Sequence, residues 1–401
     1  MRPPSPIPLE EAERILFGQA PPPTAERVPL ALAPGAVLSE EVRADADQPP
    51  FDRAMMDGYA VHAADLANLP ADLEVIEEIP AGHVPEKKVG RGQCARIMTG
   101  AALPPGPDAV QQVEKTEGEG PRVRILSAVA PGQNVAPRGS EVRNGDQVLR
   151  QGQVLRPQEL AVLASVGKTT VPVYRRPRCA VLVTGDELVE PAERPGPGQI
   201  RNTNGTSLPE QIRRMGLVCD VLQRAPDRLE ELRRLIREGM TRDALILSGG
   251  VSAGDRDLVV PALKAEGVAP VLHQVLIRPG RPIFFGTKGR TVVFGLPGNP
   301  VSSFVTFEVF VRPFLGRMMG HPSPGRRRVR ARLANPLPKR MDRTIFWPAL
   351  LETSGNDFTA RTLPWKSSAD LATLAKADAL AVQPRETALE AGDWVDAVLL
   401  D

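Results

Sequence analysis

Three runs in the middle of the chain combine glycines, small hydroxyls and acids. They are Thr184-Gly185-Asp186-Glu187, then Ser248-Gly249-Gly250-Val251-Ser252-Ala253-Gly254-Asp255-Arg256-Asp257, and Leu296-Pro297-Gly298-Asn299-Pro300 followed by Ser302-Ser303. Each follows a short apolar run (CAVLV, DALIL, TVVFG) that reads as a buried strand. Glycine lets a backbone approach a ligand closely, and amides and hydroxyls at a helix start suit an anion such as phosphate. Asp186, Glu187, Asp255 and Asp257 lie beside that anion position. Carboxylates next to phosphates share a hard divalent cation, most often Mg2+ keeping several waters. Acids of this kind also serve as turn formers and helix caps. Three such runs at three strand ends favour the ligand reading.

A fourth run, Ile277-Arg278-Pro279-Gly280-Arg281-Pro282, places Arg278 and Arg281 on a turn stiffened by proline. Guanidinium forks suit phosphate or another tetrahedral oxyanion. Arg326-Arg327-Arg328 instead reads as solvated surface. Gly250-Val251-Ser252-Ala253-Gly254 matches a nucleophile elbow, but neither His273 nor His321 is placed to complete a triad, so an ordinary turn is expected. His62, His83, His273 and His321 lack ligand spacing, which excludes a zinc hydrolase. Cys94, Cys179 and Cys219 contain no CxxC pair and read as reduced, mostly buried thiols.

The elements that position these runs follow from periodicity. From Cys179 onward, buried strands alternate with amphipathic helices: one after Asn204 (Leu208, Ile212, Met215), one capped by Asp227 (Leu229, Leu232, Leu235, Ile236), and one over 258–265. Strands near 270–276 and 291–295 precede a long apolar helix, 301–319. This pattern predicts a doubly wound, mostly parallel α/β sheet, whose ligand crevice lies beyond the carboxyl ends of its strands. Residues 46–140 are rich in Gly, Pro and short alternating runs, as in a small β domain. Within them lie Pro49 to Ala60 (PPFDRAMMDGYA) and Ile97-Met98-Thr99-Gly100-Ala101, which periodicity alone makes loops and turns. Residues 158–167 read as a helix, 169–178 as a linker, and the chain after 322 as short strands.

The 401 residues exceed one core of about 250–300 residues, so several domains are expected. Lys+Arg 50 against Asp+Glu 48 gives a net charge of +2, which excludes a sequence-independent nucleic-acid binder. Aromatics at 4% exclude base-stacking platforms. No apolar run approaches the roughly 18 residues of a spanning helix, and the first twenty residues lack a signal-peptide core. A cytoplasmic protein is expected.

Taken in order, MDGYA, IMTGA, PRG before an acid, TGDEL, SGGVSAGD and LPGNPVSS resemble the molybdopterin molybdenumtransferase family, over nearly the whole chain from about Leu9. The resemblance implies four domains: a discontinuous small α/β linker domain (1–45 and 141–174), a β-rich second domain (46–140), the α/β molybdopterin-binding domain (175–322) and a C-terminal β-barrel-like domain (323–401). It implies a homodimer whose cleft joins the α/β domain of one subunit to the second domain of the other. The substrates would be molybdate and adenylylated molybdopterin, with a molybdopterin adenylyltransferase as the implied partner that supplies the latter. Molybdate enters the dithiolene while the pyrophosphate link is cleaved with Mg2+ and AMP leaves.

By position, the family's catalytic residues fall on Asp57, Thr99, Glu187, Asp227 and Asp257, with Glu187, Asp227 and Asp257 at the metal. The substrate-binding set is Gly185, Asp186, Ser248, Gly249, Gly250, Ser252, Gly254, Arg278, Arg281, Pro297, Gly298, Asn299, Pro300 and Ser302. The chain departs from the family pattern at Ala54, Ser140-Glu141, Asn202-Thr203-Asn204-Gly205, RPGRP and Lys366-Ser367-Ser368. A non-catalytic molybdopterin-binding scaffold and a generic nucleotide-phosphate hydrolase are the alternatives. The second leaves the N-terminal motifs unexplained.

Overall fold

The computed structural model describes residues 5–118, 120–251, 258–337, 339–355 and 357–400. The chain folds as two compact units. One comprises the residues up to Ser39, Gly152–Arg156 and everything from Val171. The other comprises Glu40–Gln151 and Pro157–Thr170.

The second of these units is built on a six-stranded sheet in the order Ala109–Gln112, Gly58–Val61, Gln93–Ile97, Ala71–Ile79, Arg122–Ile125, Thr116–Glu117. Side chains alternate between its faces. Tyr59, Val61, Cys94 and Ala109 pack into one buried cluster, whereas Ala60, Ala95 and Val110 pack into another. That two-sided burial makes Gly58–Val61 wholly buried. It also demands glycine at its start, because a Cβ on Gly58 would meet the Gln111 carbonyl oxygen at 1.9 Å.

In the first unit the strands Cys219–Val221, Cys179–Val183, Ala244–Ser248, Thr291–Leu296, Phe284–Lys288 and Ala269–His273 lie side by side in that order. The first four are parallel and the last two join antiparallel. Helices cover both faces, so alternate residues of one strand enter different cores. Cys179, Val181 and Val183 face one cluster, and Ala180 and Leu182 face the other. Each fully buried Leu or Val contributes about 1.5–3 kcal/mol of burial, which is why these strands read as unbroken apolar runs.

The chain then forms a closed five-stranded barrel. Thr344–Ser354 pairs with Asp357–Thr362, that strand with Arg328–Leu333, then Trp394–Leu399, then Ala379–Gln383, and the last pairs back with Thr344–Ser354.

Several local expectations need correction. Phe284–Lys288 is a strand that periodicity did not separate from the turn before it. Residues 169–178, expected as a linker, contain the strand Thr170–Tyr174. Asp227 is not at the cap position of the following helix. That helix, Leu229–Gly239, begins after Arg228, which makes no side-chain capping bond. The long apolar helix carries a π turn at Phe307–Val311, between Pro300–Thr306 and Arg312–Met318. Pro313 has no N–H and its ring would collide with the Val309 carbonyl, which accounts for a register change there.

Arg326 is not a solvated surface residue. Its side chain is only 12% exposed and its Nε donates to Glu308 Oε2 at 2.7 Å. Arg327 and Arg328 are exposed, as expected.

Candidate functional site

Within the first unit, the three strand ends open onto one cavity of about 710 Å³. Thr184, Gly185 and Glu187 line it after Cys179–Val183. Ser248, Gly249 and Gly250 do so after Ala244–Ser248, and Pro297, Gly298, Asn299 and Pro300 after Thr291–Leu296. Asp227 completes the carboxylate set. The loops touch, since a methyl built on Gly298 would rest 3.7 Å from the Gly249 Cα.

Glu187 is folded back over the chain. A Cβ on Gly185, whose φ is +142°, would lie 2.7 Å from both of its carboxylate oxygens. Only glycine leaves that carboxylate its place. Asp186 is not among the cavity-lining residues; its Oδ1 accepts from the Asp227 N–H at 3.2 Å. Two glycine amides that the sequence offered to an anion are already used. Gly249 N–H donates to the Leu296 carbonyl at 3.1 Å and Gly185 N–H to the Ala225 carbonyl at 3.4 Å.

Asn204, which the sequence marks as a helix start within the Asn202-Thr203-Asn204-Gly205 run, ties two of these loops together. Its Nδ2 donates to Ser248 Oγ and to the Gly298 carbonyl, both at 2.8 Å, and Ser248 Oγ donates to the Pro297 carbonyl at 3.2 Å. Because the Gly298 carbonyl can only accept, the amide orientation is fixed.

A second cavity of about 510 Å³ shares Pro282, Pro297 and Asn299 with the first. Arg278, Arg281, Arg343 and Lys366 line it with Ser302, Ser367 and Ser368, and no carboxylate is among its described lining residues. Asn299 Nδ2 donates to Ser368 Oγ at 2.9 Å, so the Lys-Ser-Ser segment meets the PGNP loop. The Arg278 guanidinium lies 5.5 Å over the Trp365 ring, a cation–π contact that restrains it. Nothing in the sequence signalled Arg343 or Trp365 for this place.

Two carboxylates in the first cavity test the case for Mg2+. Glu187 and Asp227 offer only oxygen, and no His or Cys is among the described residues that line the cavity. Among the described residues no group of three or more His, Cys, Asp or Glu could cage a metal alone. Mg2+ takes one or two carboxylates plus waters and substrate phosphates, so this donor set fits it. Ser252, Gly254, Asp255 and Asp257 lie outside the described residues.

Asp57 and Thr99 belong to the other unit. Asp57 Oδ1 accepts from the Thr99 N–H and from Thr99 Oγ1, each at 2.7 Å. These two bonds, the backbone one first, hold its carboxyl below the ordinary carboxylate range. Thr99→Val removes the hydroxyl bond and is expected to raise the Asp57 pKa toward its ordinary value. Carboxyl NMR titration reads this directly, and an unmoved titration would contradict the assigned cause.

The thiols match the sequence reading of buried cysteines. Burial pushes Cys94 up to about 12 and Cys219 up to about 11, and raises Cys179 as well. Among the described residues no helix is long and apolar enough to cross a membrane.

Comparison with known families matches residues 7–167 to the MoeA N-terminal region (domain I and II), 180–317 to a probable molybdopterin binding domain and 330–400 to the MoeA C-terminal region (domain IV). The chain is 32% identical over 406 residues to the molybdopterin molybdenumtransferase of Bacillus subtilis (strain 168), spanning 99% of this chain and 94% of that protein. It is 35% identical over 409 residues to the molybdopterin molybdenumtransferase of Nostoc sp. (strain PCC 7120), spanning 98% and 94%. Among solved structures, the molybdopterin biosynthesis moeA protein of Pyrococcus horikoshii OT3 superposes with a TM-score of 0.81 at 32% identity, covering 98% of this chain and all of that one. With matched family regions spanning most of its length, and relatives of this identity along nearly all of it, the chain belongs to the molybdopterin molybdenumtransferase family, enzymes of molybdenum insertion in cofactor biosynthesis.

Proposed function

We propose that the chain inserts molybdate into adenylylated molybdopterin, with Mg2+-dependent cleavage of the pyrophosphate link and release of AMP. The observation that carries this reading is the pairing of two adjoining cavities. One is lined by glycine loops and by Glu187 and Asp227, with Arg201 as its one described lining cation, the other by Arg278, Arg281, Arg343 and Lys366, and Pro282, Pro297 and Asn299 line both.

In this reading the polyphosphate lies along the glycine loops, and Glu187 and Asp227, with Asp257, hold the cation. When bound, Mg2+ neutralises phosphate charge. Arg278 and Arg281 hold the molybdate oxyanion, with Ser302 donating its hydroxyl. Breaking a phosphoanhydride needs charge neutralisation and positioning more than a covalent nucleophile. The thiolates that receive molybdenum come from the substrate, so the buried, unreactive cysteines are no obstacle. Asp57 and Thr99 are assigned catalytic roles in a homodimer, and a molybdopterin adenylyltransferase is the proposed donor of substrate. A cytoplasmic setting accords with free thiols.

Incubating the intact protein with adenylylated molybdopterin, molybdate and Mg2+ is expected to release AMP. Absence of turnover would refute the reading. Arg278→Ala is expected to weaken molybdate binding about 10-fold or more, since a charge-assisted hydrogen bond is worth ~1.5–3 kcal/mol. Its affinity should also fall less steeply with salt than that of the unaltered protein, because one screened charge is gone. Calorimetric titration at two ionic strengths checks both; equal affinities and equal salt slopes would remove Arg278 from the site.

A further inference from the structure

The turn that carries Glu187 is closed by a residue remote in sequence. Its own hydrogen bond runs from Leu188 N–H to the Gly185 carbonyl at 3.4 Å, long for such a bond. The half-buried Arg224 supplies what this bond lacks. Its Nη1 donates to the Gly185 carbonyl at 3.3 Å and to the Leu188 carbonyl, so one guanidinium spans the first and last residues of the turn. Glu187 lies between those two anchored carbonyls, with its carboxylate packed over Gly185.

Arg224 is itself held by the parallel ladder. Leu222 N–H donates to the Val181 carbonyl at 3.0 Å and Ala225 N–H to the Val183 carbonyl at 2.9 Å. Two residues beyond Ala225, Asp227 N–H is held by Asp186 of the same turn. The two carboxylates of the cavity therefore sit on segments that Arg224 and Asp186 bind to each other from opposite sides. Fixed carboxylate positions matter for a cation that demands near-ideal geometry.

We propose that Arg224 is a positioning residue for the divalent cation: by clipping residues 185–188 closed, it aims the Glu187 carboxylate into the cavity that Asp227 also lines. This rests on the reading that Glu187 and Asp227 hold the cation.

The test is Mn2+ binding to the full chain in the presence of AMP, followed by electron paramagnetic resonance. Four variants are compared: Glu187→Gln, Arg224→Met, Arg224→Lys, and Glu187→Gln combined with Arg224→Met. Partners of metal ligands commonly change affinity by 10–100-fold. Arg224→Met is expected to raise the Mn2+ dissociation constant about 10-fold, and Arg224→Lys, which keeps charge and donors, to recover part of that loss.

The double variant should bind no more weakly than Glu187→Gln alone, because Arg224 acts through that carboxylate. Losses that multiply in the double variant, or unchanged binding in Arg224→Met, would overturn the proposal and leave the carboxylate reading standing. Unchanged binding in Glu187→Gln would overturn the carboxylate reading, and the proposal with it. Circular dichroism identifies a misfolded Arg224→Met chain, in which case Arg224→Lys, alone and combined with Glu187→Gln, decides by the same comparison.

Discussion

Glu187→Ala is expected to lower AMP release by about 10²–10³-fold, the scale of losing one group that stabilises charge at a reacting centre. Its melting temperature should stay close to that of the unaltered protein. Glu187 is exposed, and substitutions at such positions usually change stability by no more than ~0.5 kcal/mol. The small packing change over Gly185 opens space rather than filling it. Asp227→Ala is expected to behave alike, as is Asp257→Ala on the sequence reading. The decisive comparison is kcat across a Mg2+ titration, with melting curves run alongside. Full turnover in both Glu187→Ala and Asp227→Ala would leave these acids as mere turn formers.

A large effect of the opposite kind is expected at Glu308. Its side chain is fully buried in the π turn and accepts from Arg312, from Arg326 at 2.7 Å and from Gln211 at 2.7 Å. Removing it strands two guanidinium groups in a dry interior, a loss of about 3–5 kcal/mol. Glu308→Ala should accordingly lower the urea midpoint sharply while leaving the cavity-lining side chains in place.

The acid limb carries a second signature. Burial alone would raise the Glu308 pKa, but the hydrogen bonds and charges of Arg312 and Arg326 outweigh it and hold the carboxyl below its ordinary 4.5. A depressed carboxyl contributes stability above that ordinary value and loses it as pH falls through the lower folded value. Glu308→Gln is therefore expected to flatten the fall of stability below about pH 4.5. A variant as acid-sensitive as the parent would show that other carboxylates govern acid unfolding.

The sequence exposed the parts of the site that lie next to one another in the chain. Buried parallel strands are apolar on both faces, so their ends are easy to find, and the Gly-rich runs at 184–187, 248–251 and 296–300 stood out for that reason. What it hid depends on distance in sequence. Arg224 matters through two carbonyls dozens of residues away, and Asn204 through Ser248 and Gly298. Arg326 looked like one member of a solvated basic run, because no local pattern tells a charge that it will meet a buried partner such as Glu308. Phe284–Lys288 was missed because it pairs antiparallel with both neighbours, and no helix separates it from the strand before or the strand after. The cap position differs from the expected one by a single residue, since the helix begins at Leu229 with Arg228 before it, while Asp227 lines the cavity.

The most direct measurement is a crystal structure of this protein grown with AMP and Mg2+. The phosphate is expected against Gly249, Gly250 and Gly298, with the cation between it and the carboxylates of Glu187 and Asp227. A well-ordered nucleotide bound away from these loops, with both acids turned to solvent, would contradict it.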